Sequence, residues 1–158
     1  MAFAETSKHP GVSTNDVSTR RVVLIVEDDA WIQGILGELL EDEGFEIVST
    51  SDGESGLKTA ERLRPDLILL DVGLPRMGGE EFLEHLRARR LLPRLPVVVI
   101  SGSADMLSQK IRELADCVLR KPFDVALLLD VAHAHTRPAS GASSFTPRAG
   151  IHPAVGAP

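Results

Sequence analysis

Three apolar runs along the chain each end in polar residues of a distinct kind. Val22-Val23-Leu24-Ile25-Val26 gives way to Glu27, Asp28 and Asp29; Leu67-Ile68-Leu69-Leu70 to Asp71; and Val97-Val98-Val99-Ile100 to Ser101. A shorter stretch, Cys117-Val118-Leu119, leads through Arg120 into Lys121-Pro122. Short apolar runs without polar alternation read as strands covered on both faces, the habit of parallel sheets.

Between these runs the period changes to that of helices. Ile32, Ile35, Leu36, Leu39 and Leu40 recur at helical spacing, and Gly44 stands where a left-handed cap would end the helix. Residues 45–50 read as another strand. Ser51 with Glu54 offers a capping box for a helix to about residue 63, and Pro65 stops it. Gly73, Pro75, Gly78 and Gly79 make residues 71–79 a loop, after which Phe82, Leu83 and Leu86 share one face of a helix over 80–90 that ends before Pro93 and Pro96. A helix near 105–114, a strand at 117–119 and a helix over 124–135 complete the pattern. Five βα units predict an α/β fold, a doubly wound parallel sheet with helices on both faces. Ligands of such sheets bind outside the carboxyl ends of the strands. Acids, a hydroxyl and an ammonium from distant parts of the chain are therefore expected to share one pocket.

Composition narrows the picture. The 158 residues, 43% hydrophobic, supply one ordinary core and not two large domains. Residues 1–20, rich in Ser, Thr, Asn and Gly, and residues 136–158, rich in Pro, Ala, Gly and Ser, have no apolar period. Both are expected to be flexible tails around a domain at 21–135. Residues 1–20 sum to zero charge and residues 136–158 to +2, which leaves about −8 on the middle of a chain of formal charge −6. That argues against non-specific nucleic-acid binding by the folded part. With Cys117 as the single cysteine, no internal disulfide can form. No stretch approaches the ~18 apolar residues of a membrane span, and the amino terminus lacks a secretory pattern. A cytoplasmic protein is expected.

The acids raise a physical problem. Like charges about 4 Å apart at an effective dielectric of 20 repel by roughly 4 kcal/mol, so Glu27, Asp28 and Asp71 need compensation to stay ionised together. A hard divalent cation such as Mg²⁺ supplies it, taking one or two carboxylates, several waters and a phosphate oxygen. A carboxylate can itself attack phosphorus to form an aspartyl phosphate. Asp71, at the end of the strand expected to be central and before a glycine-rich loop, is the candidate nucleophile. Lys121 would pair with phosphate oxygens and Ser101 would donate a hydrogen bond to another.

Four motifs together, Val-Glu-Asp-Asp at 26–29, Leu-Asp-Val-Gly-Leu-Pro-Arg-Met-Gly-Gly at 70–79, Ile-Ser-Gly at 100–102 and Arg-Lys-Pro-Phe at 120–123, resemble the receiver domain of two-component response regulators. The resemblance runs from about residue 21 to residue 135 and implies a flavodoxin-like (CheY-like) five-stranded sheet in the order 2-1-3-4-5. It implies that Asp71 accepts phosphate from a sensor histidine kinase or a histidine phosphotransfer protein. It makes Asp28, Asp71 and the backbone carbonyl of Gly73 direct Mg²⁺ ligands, with Glu27 acting through water. Ser101 matches the switch hydroxyl and Lys121 the phosphate-pairing lysine, and the Lys121-Pro122 bond of similar domains is cis. Two positions depart from the usual pattern. Val118, three before the lysine, stands where an aromatic is common, and Gly73 is small.

Blander roles suit several other residues. Asp29 reads as the N-cap of the first helix rather than a third ligand. His133 and His135, two apart on a helix, face different ways and make poor metal partners, and His85 reads as a surface histidine. Cys117 reads as a core thiol. Trp31 reads as a flank of the apolar stripe, with partner docking as the alternative. Few residues follow the last helix, so a stand-alone receiver that signals to a downstream protein without direct DNA or membrane binding is expected. One rival is a pseudo-receiver acting as a phosphorylation-independent interaction module. Another is a metal-dependent phosphatase with an aspartyl nucleophile, whose customary second Asp is replaced here by Gly73.

Overall fold

The computed structural model describes residues 21–92 and 94–136, so residues 1–20 and 137–158, where flexible tails are expected, lie outside it. The chain alternates β1 (Val22–Val26), α1 (Ala30–Asp42), β2 (Glu46–Thr50), α2 (Gly53–Leu63), β3 (Leu67–Asp71), α3 (Gly79–Ala88), β4 (Val97–Ser101), α4 (Gln109–Leu114), β5 (Cys117–Arg120) and α5 (Val125–Thr136). The strands pair in parallel in the order β2-β1-β3-β4-β5.

The unbroken apolar runs follow from this layering. Alternate side chains of a strand point to opposite faces, so Leu24, Val26, Ile68, Leu70, Val97 and Val99 pack toward α2, α3 and α4, against Leu57, Phe82, Leu83 and Ile111. Their neighbours Val23, Ile25, Leu67, Leu69, Val98 and Ile100 pack the other way, against Leu36 and Leu40 of α1 and Leu128 and Val131 of α5. β2, at an edge, has no fully buried residue. Asp66 and Asp116 extend the sheet's hydrogen bonding at its amino-terminal side, accepting from Val22 N–H at 2.7 Å and Val97 N–H at 2.8 Å.

Local signals held in most places and were corrected in two. Gly44 takes φ +85°, the left-handed conformation expected after α1. The cap of α2 is Asp52 rather than Ser51. Its carboxylate accepts from Ser55 N–H at 2.8 Å and from the Ser55 hydroxyl, so the helix starts one residue later than a Ser51 cap requires. The single helix expected near 105–114 is divided into a 3-10 turn at Ala104–Met106 and α4. Ser108 accounts for the break: its hydroxyl accepts from Ile111 N–H at 3.2 Å and begins a new helix there.

The connection reverses direction at β1, which lies between β2 and β3. The crevice at such a switch point opens at the carboxyl ends of β1 and β3. Glu27 and Asp28 follow β1 directly, and Asp71 closes β3 in the register Val26↔Leu70.

Candidate functional site

Three loops and two strand ends build one pocket. Glu27, Asp28 and Asp71 each bring a carboxylate oxygen within 4.8 Å of the others. Glu27 is buried, Asp71 half-buried and Asp28 exposed, so the cluster grades from core to solvent. Hard oxygen donors of this kind suit a small divalent cation.

Lys121 enters from the loop after β5. Its main-chain N–H donates to Ser101 O at 2.8 Å, which carries the β4–β5 ladder one residue beyond the strand. Its ammonium donates to Glu27 Oε2 at 3.0 Å and to Asp71 Oδ2 at 3.4 Å. Lys121-Pro122 is a cis peptide bond, as the resemblance implies. Gly73 lies beside the same carboxylate: its N–H donates to Asp71 Oδ1 at 3.1 Å, and a Cβ there would stand 3.6 Å from both carboxylate oxygens.

The electrostatics follow burial. Desolvation pushes the Glu27 carboxyl upward from its ordinary value, and the Asp71 charge adds to that. Hydrogen bonds from Lys121 and from Asp29 N–H oppose the shift without cancelling it. Burial works to lower the Lys121 ammonium, but the Glu27 hydrogen bond and the charges of Asp71 and Glu27 outweigh it and move it upward.

Ser101 is buried at the end of β4, one residue past Ile100, the register partner of Asp71. Its hydroxyl oxygen accepts from Ser103 N–H at 3.1 Å, which leaves the hydroxyl proton available for another acceptor. Val118 is buried in the cluster with Val99, Ile111 and Ala115, so this position offers a packed aliphatic in place of a ring.

Asp29 caps α1 as the sequence suggests, accepting from Trp31 N–H at 2.9 Å and Ile32 N–H at 3.1 Å with one oxygen. Gln33 is a site residue that the sequence did not single out. Its side-chain amide donates to Glu27 O and Thr50 O, both at 3.1 Å, a role with no spacing or composition signal because it depends on where α1 crosses two strand ends.

The remaining candidates stand apart from the pocket. His133 pairs with Glu43 at 2.9 Å and packs against the Phe45 ring at a tilt of 42°, His85 lies 3.6 Å from Glu81, and neither belongs to the carboxylate cluster. Cys117 is buried, and desolvation pushes its thiol up to about 11, which keeps it protonated and unreactive. Trp31 does not flank the core as expected. It is 75% exposed and, with Ile35, Pro122, Phe123 and Val125, lines a groove of about 320 Å³ between α1 and the β5–α5 loop.

Residues 23–133 match the response regulator receiver domain family. The chain belongs to that family. The transcriptional regulatory protein PdtaR of Mycobacterium tuberculosis is 34% identical over 115 residues, which cover 72% of this chain and 56% of PdtaR. PhoP of Bacillus subtilis, the alkaline phosphatase synthesis transcriptional regulatory protein, is 37% identical over 103 residues, covering 64% of this chain and 42% of PhoP. The chain thus spans about half the length of the curated relatives it matches. Among solved structures, a CheY-like receiver domain from Methylobacillus flagellatus superimposes with a TM-score of 0.68 at 29% identity, over 73% of this chain and 98% of its own. The receiver domain of the sensor histidine kinase PA1611 from Pseudomonas aeruginosa PAO1 gives 0.69 at 26% identity, over 74% and 98%. That structure has a magnesium ion coordinated in its active site cleft. In this receiver domain, no helix among the described residues is long and apolar enough to cross a membrane.

Proposed function

We propose that this receiver domain accepts a phosphoryl group on Asp71 from a phosphohistidine of a sensor histidine kinase or histidine phosphotransfer protein, in a Mg²⁺-dependent step. The phosphorylated form then signals to a downstream protein. The observation that carries the reading is the meeting of Lys121 with both Glu27 and Asp71 in a cluster of hard oxygen donors.

Each residue has a definable task. An Asp71 carboxylate oxygen attacks phosphorus; the O–P bond forms as the P–N bond of the donor breaks, and the leaving imidazole keeps the bonding pair and takes a proton. Asp28, Asp71 and the Gly73 carbonyl would hold the metal directly and Glu27 would hold it through water. A bound Mg²⁺ supplies charge neutralisation between the carboxylates and the incoming phosphoryl oxygens. Lys121 would turn from Asp71 toward a phosphoryl oxygen, and the Ser101 hydroxyl would give its proton to another. Rearrangement of these two groups would bias the loops after β3 and β4, the surface a partner reads.

The test is intact-mass measurement after incubation with Mg²⁺ and either acetyl phosphate or a phosphorylated kinase. One acid-labile phosphoryl adduct is expected on the wild type and none on Asp71→Asn. A wild-type protein that stays unlabelled by every donor while remaining folded would leave the phosphorylation-independent interaction module as the better reading.

A further inference from the structure

We infer that Gln33 is a positioning residue for the acidic pair: its side-chain amide holds the main chain of Glu27, and thereby sets the direction in which Glu27 and Asp28 present their carboxylates to a cation. The inference rests on the proposed metal-dependent chemistry of the pocket and extends it to a residue outside the cluster.

The geometry is a clamp across two strand ends. Glu27 N–H donates to Thr50 O at 3.1 Å, so its amide is tied to β2. Gln33 Nε2 donates to Glu27 O and to Thr50 O, both at 3.1 Å, and an amide nitrogen has two protons for two carbonyls. Rotating the amide to place its oxygen there would set three acceptors against one another, so the surroundings dictate the orientation. Gln33 is itself fixed, since its main-chain N–H donates to Asp29 O at 2.9 Å in the first turn of α1. Both main-chain groups of Glu27 are therefore occupied, one by β2 and one by α1.

Partners that orient metal ligands commonly change affinity by 10–100-fold when removed. Gln33→Met keeps the length of the chain and deletes both donors. In calorimetric titration of the full chain with Mg²⁺ it is expected to weaken binding by about tenfold, the low end of that range. In the metal-free protein, the backbone ¹⁵N resonances of Asp28 and Ser51, the nitrogens bonded to the two carbonyls, are expected to shift. A folded Gln33→Met protein that binds Mg²⁺ within about twofold of wild type overturns the inference. Should that variant fail to fold, Gln33→Asn decides. It retains an amide one methylene too short to span both carbonyls, so a threefold or greater loss of affinity supports the clamp, and a smaller one overturns it. Wild-type protein that does not bind Mg²⁺ overturns the proposed chemistry together with the clamp, whereas equal binding by wild type and variant overturns the clamp alone.

Discussion

Lys121 Nζ and Glu27 Oε2 lie 3.0 Å apart, although 94 positions separate the two residues in the chain, and the Glu27 side chain is only 3% exposed. The same ammonium is 3.4 Å from Asp71. In the metal-free domain Lys121 is thus the counter-charge that lets two acids share a confined pocket, and it occupies the place a second cation would contest.

Replacing that ammonium should separate metal binding from phosphate chemistry. Lys121→Met removes a repulsive charge from the vicinity of the cation, and unit charges about 4 Å apart interact by about 1 kcal/mol even at the dielectric of water. For a doubly charged ion the repulsion is about twice that, so Mg²⁺ affinity measured by calorimetry should rise by about fivefold or more, since 1.4 kcal/mol corresponds to a factor of ten. The rate of phosphoaspartate formation should fall, because the phosphoryl oxygens lose their partner. A parallel loss of metal affinity and labelling would contradict this division of roles.

Glu27 predicts a dependence on pH. Its folded-state carboxyl is raised above the usual 4.5, chiefly by burial, so the folded protein binds this proton more tightly than the unfolded chain does. Ionising Glu27 therefore costs stability, and the cost is complete once the pH exceeds the raised value. Glu27→Gln should raise the metal-free melting temperature at about pH 7.5. The advantage should vanish as the pH falls through that raised value toward 4.5. Calorimetric scans in a chelator across this range measure it, and an advantage that grows on acidification would refute the sign.

Asp29 should affect stability without touching the chemistry. Its carboxylate is engaged by the first N–H groups of α1, and loss of such a cap typically costs about 1 kcal/mol. Asp29→Ala should lower urea-derived stability by about that amount and leave Mg²⁺ affinity within about twofold. A large loss of affinity would make Asp29 a ligand after all.

Gly79 marks where α3 meets the loop that carries Asp71. A Cβ there would stand 2.6 Å from Val72 Cγ1 and 2.8 Å from Val72 Cα, the latter main chain that cannot turn aside. Gly79→Ala should destabilise by about 1–3 kcal/mol in denaturant titration, the usual range for overpacking. Because Val72 follows Asp71, slower labelling should accompany the loss.

The fold was largely legible because burial on both faces leaves an unmistakable sequence trace. The Leu67 and Val97 runs have no polar residue to mark a solvent side, and they proved to be β3 and β4, interior strands of a parallel sheet. Errors fell where a short polar side chain could compete for the backbone. Asp52 rather than Ser51 caps α2, and Ser108 breaks a helix that the apolar pattern alone would continue. Trp31 was misjudged for another reason: helical spacing identifies a stripe but does not say how wide a strip the sheet will cover.

The sequence by itself determined which groups end the strands, since Glu27, Asp28, Asp71 and Lys121 stand at apolar-run boundaries that the hydrophobic effect makes unavoidable. Parallel pairing then had to bring those boundaries to one edge. Which atoms meet there was decided by the tertiary structure alone: Lys121 on Glu27 as well as Asp71, Gln33 across Glu27 and Thr50, and Val118 packed into the core. Such contacts depend on strand register and helix placement to within an ångström, and hydrogen bonds weaken steeply with distance and angle, so they leave no periodic mark in the order of residues.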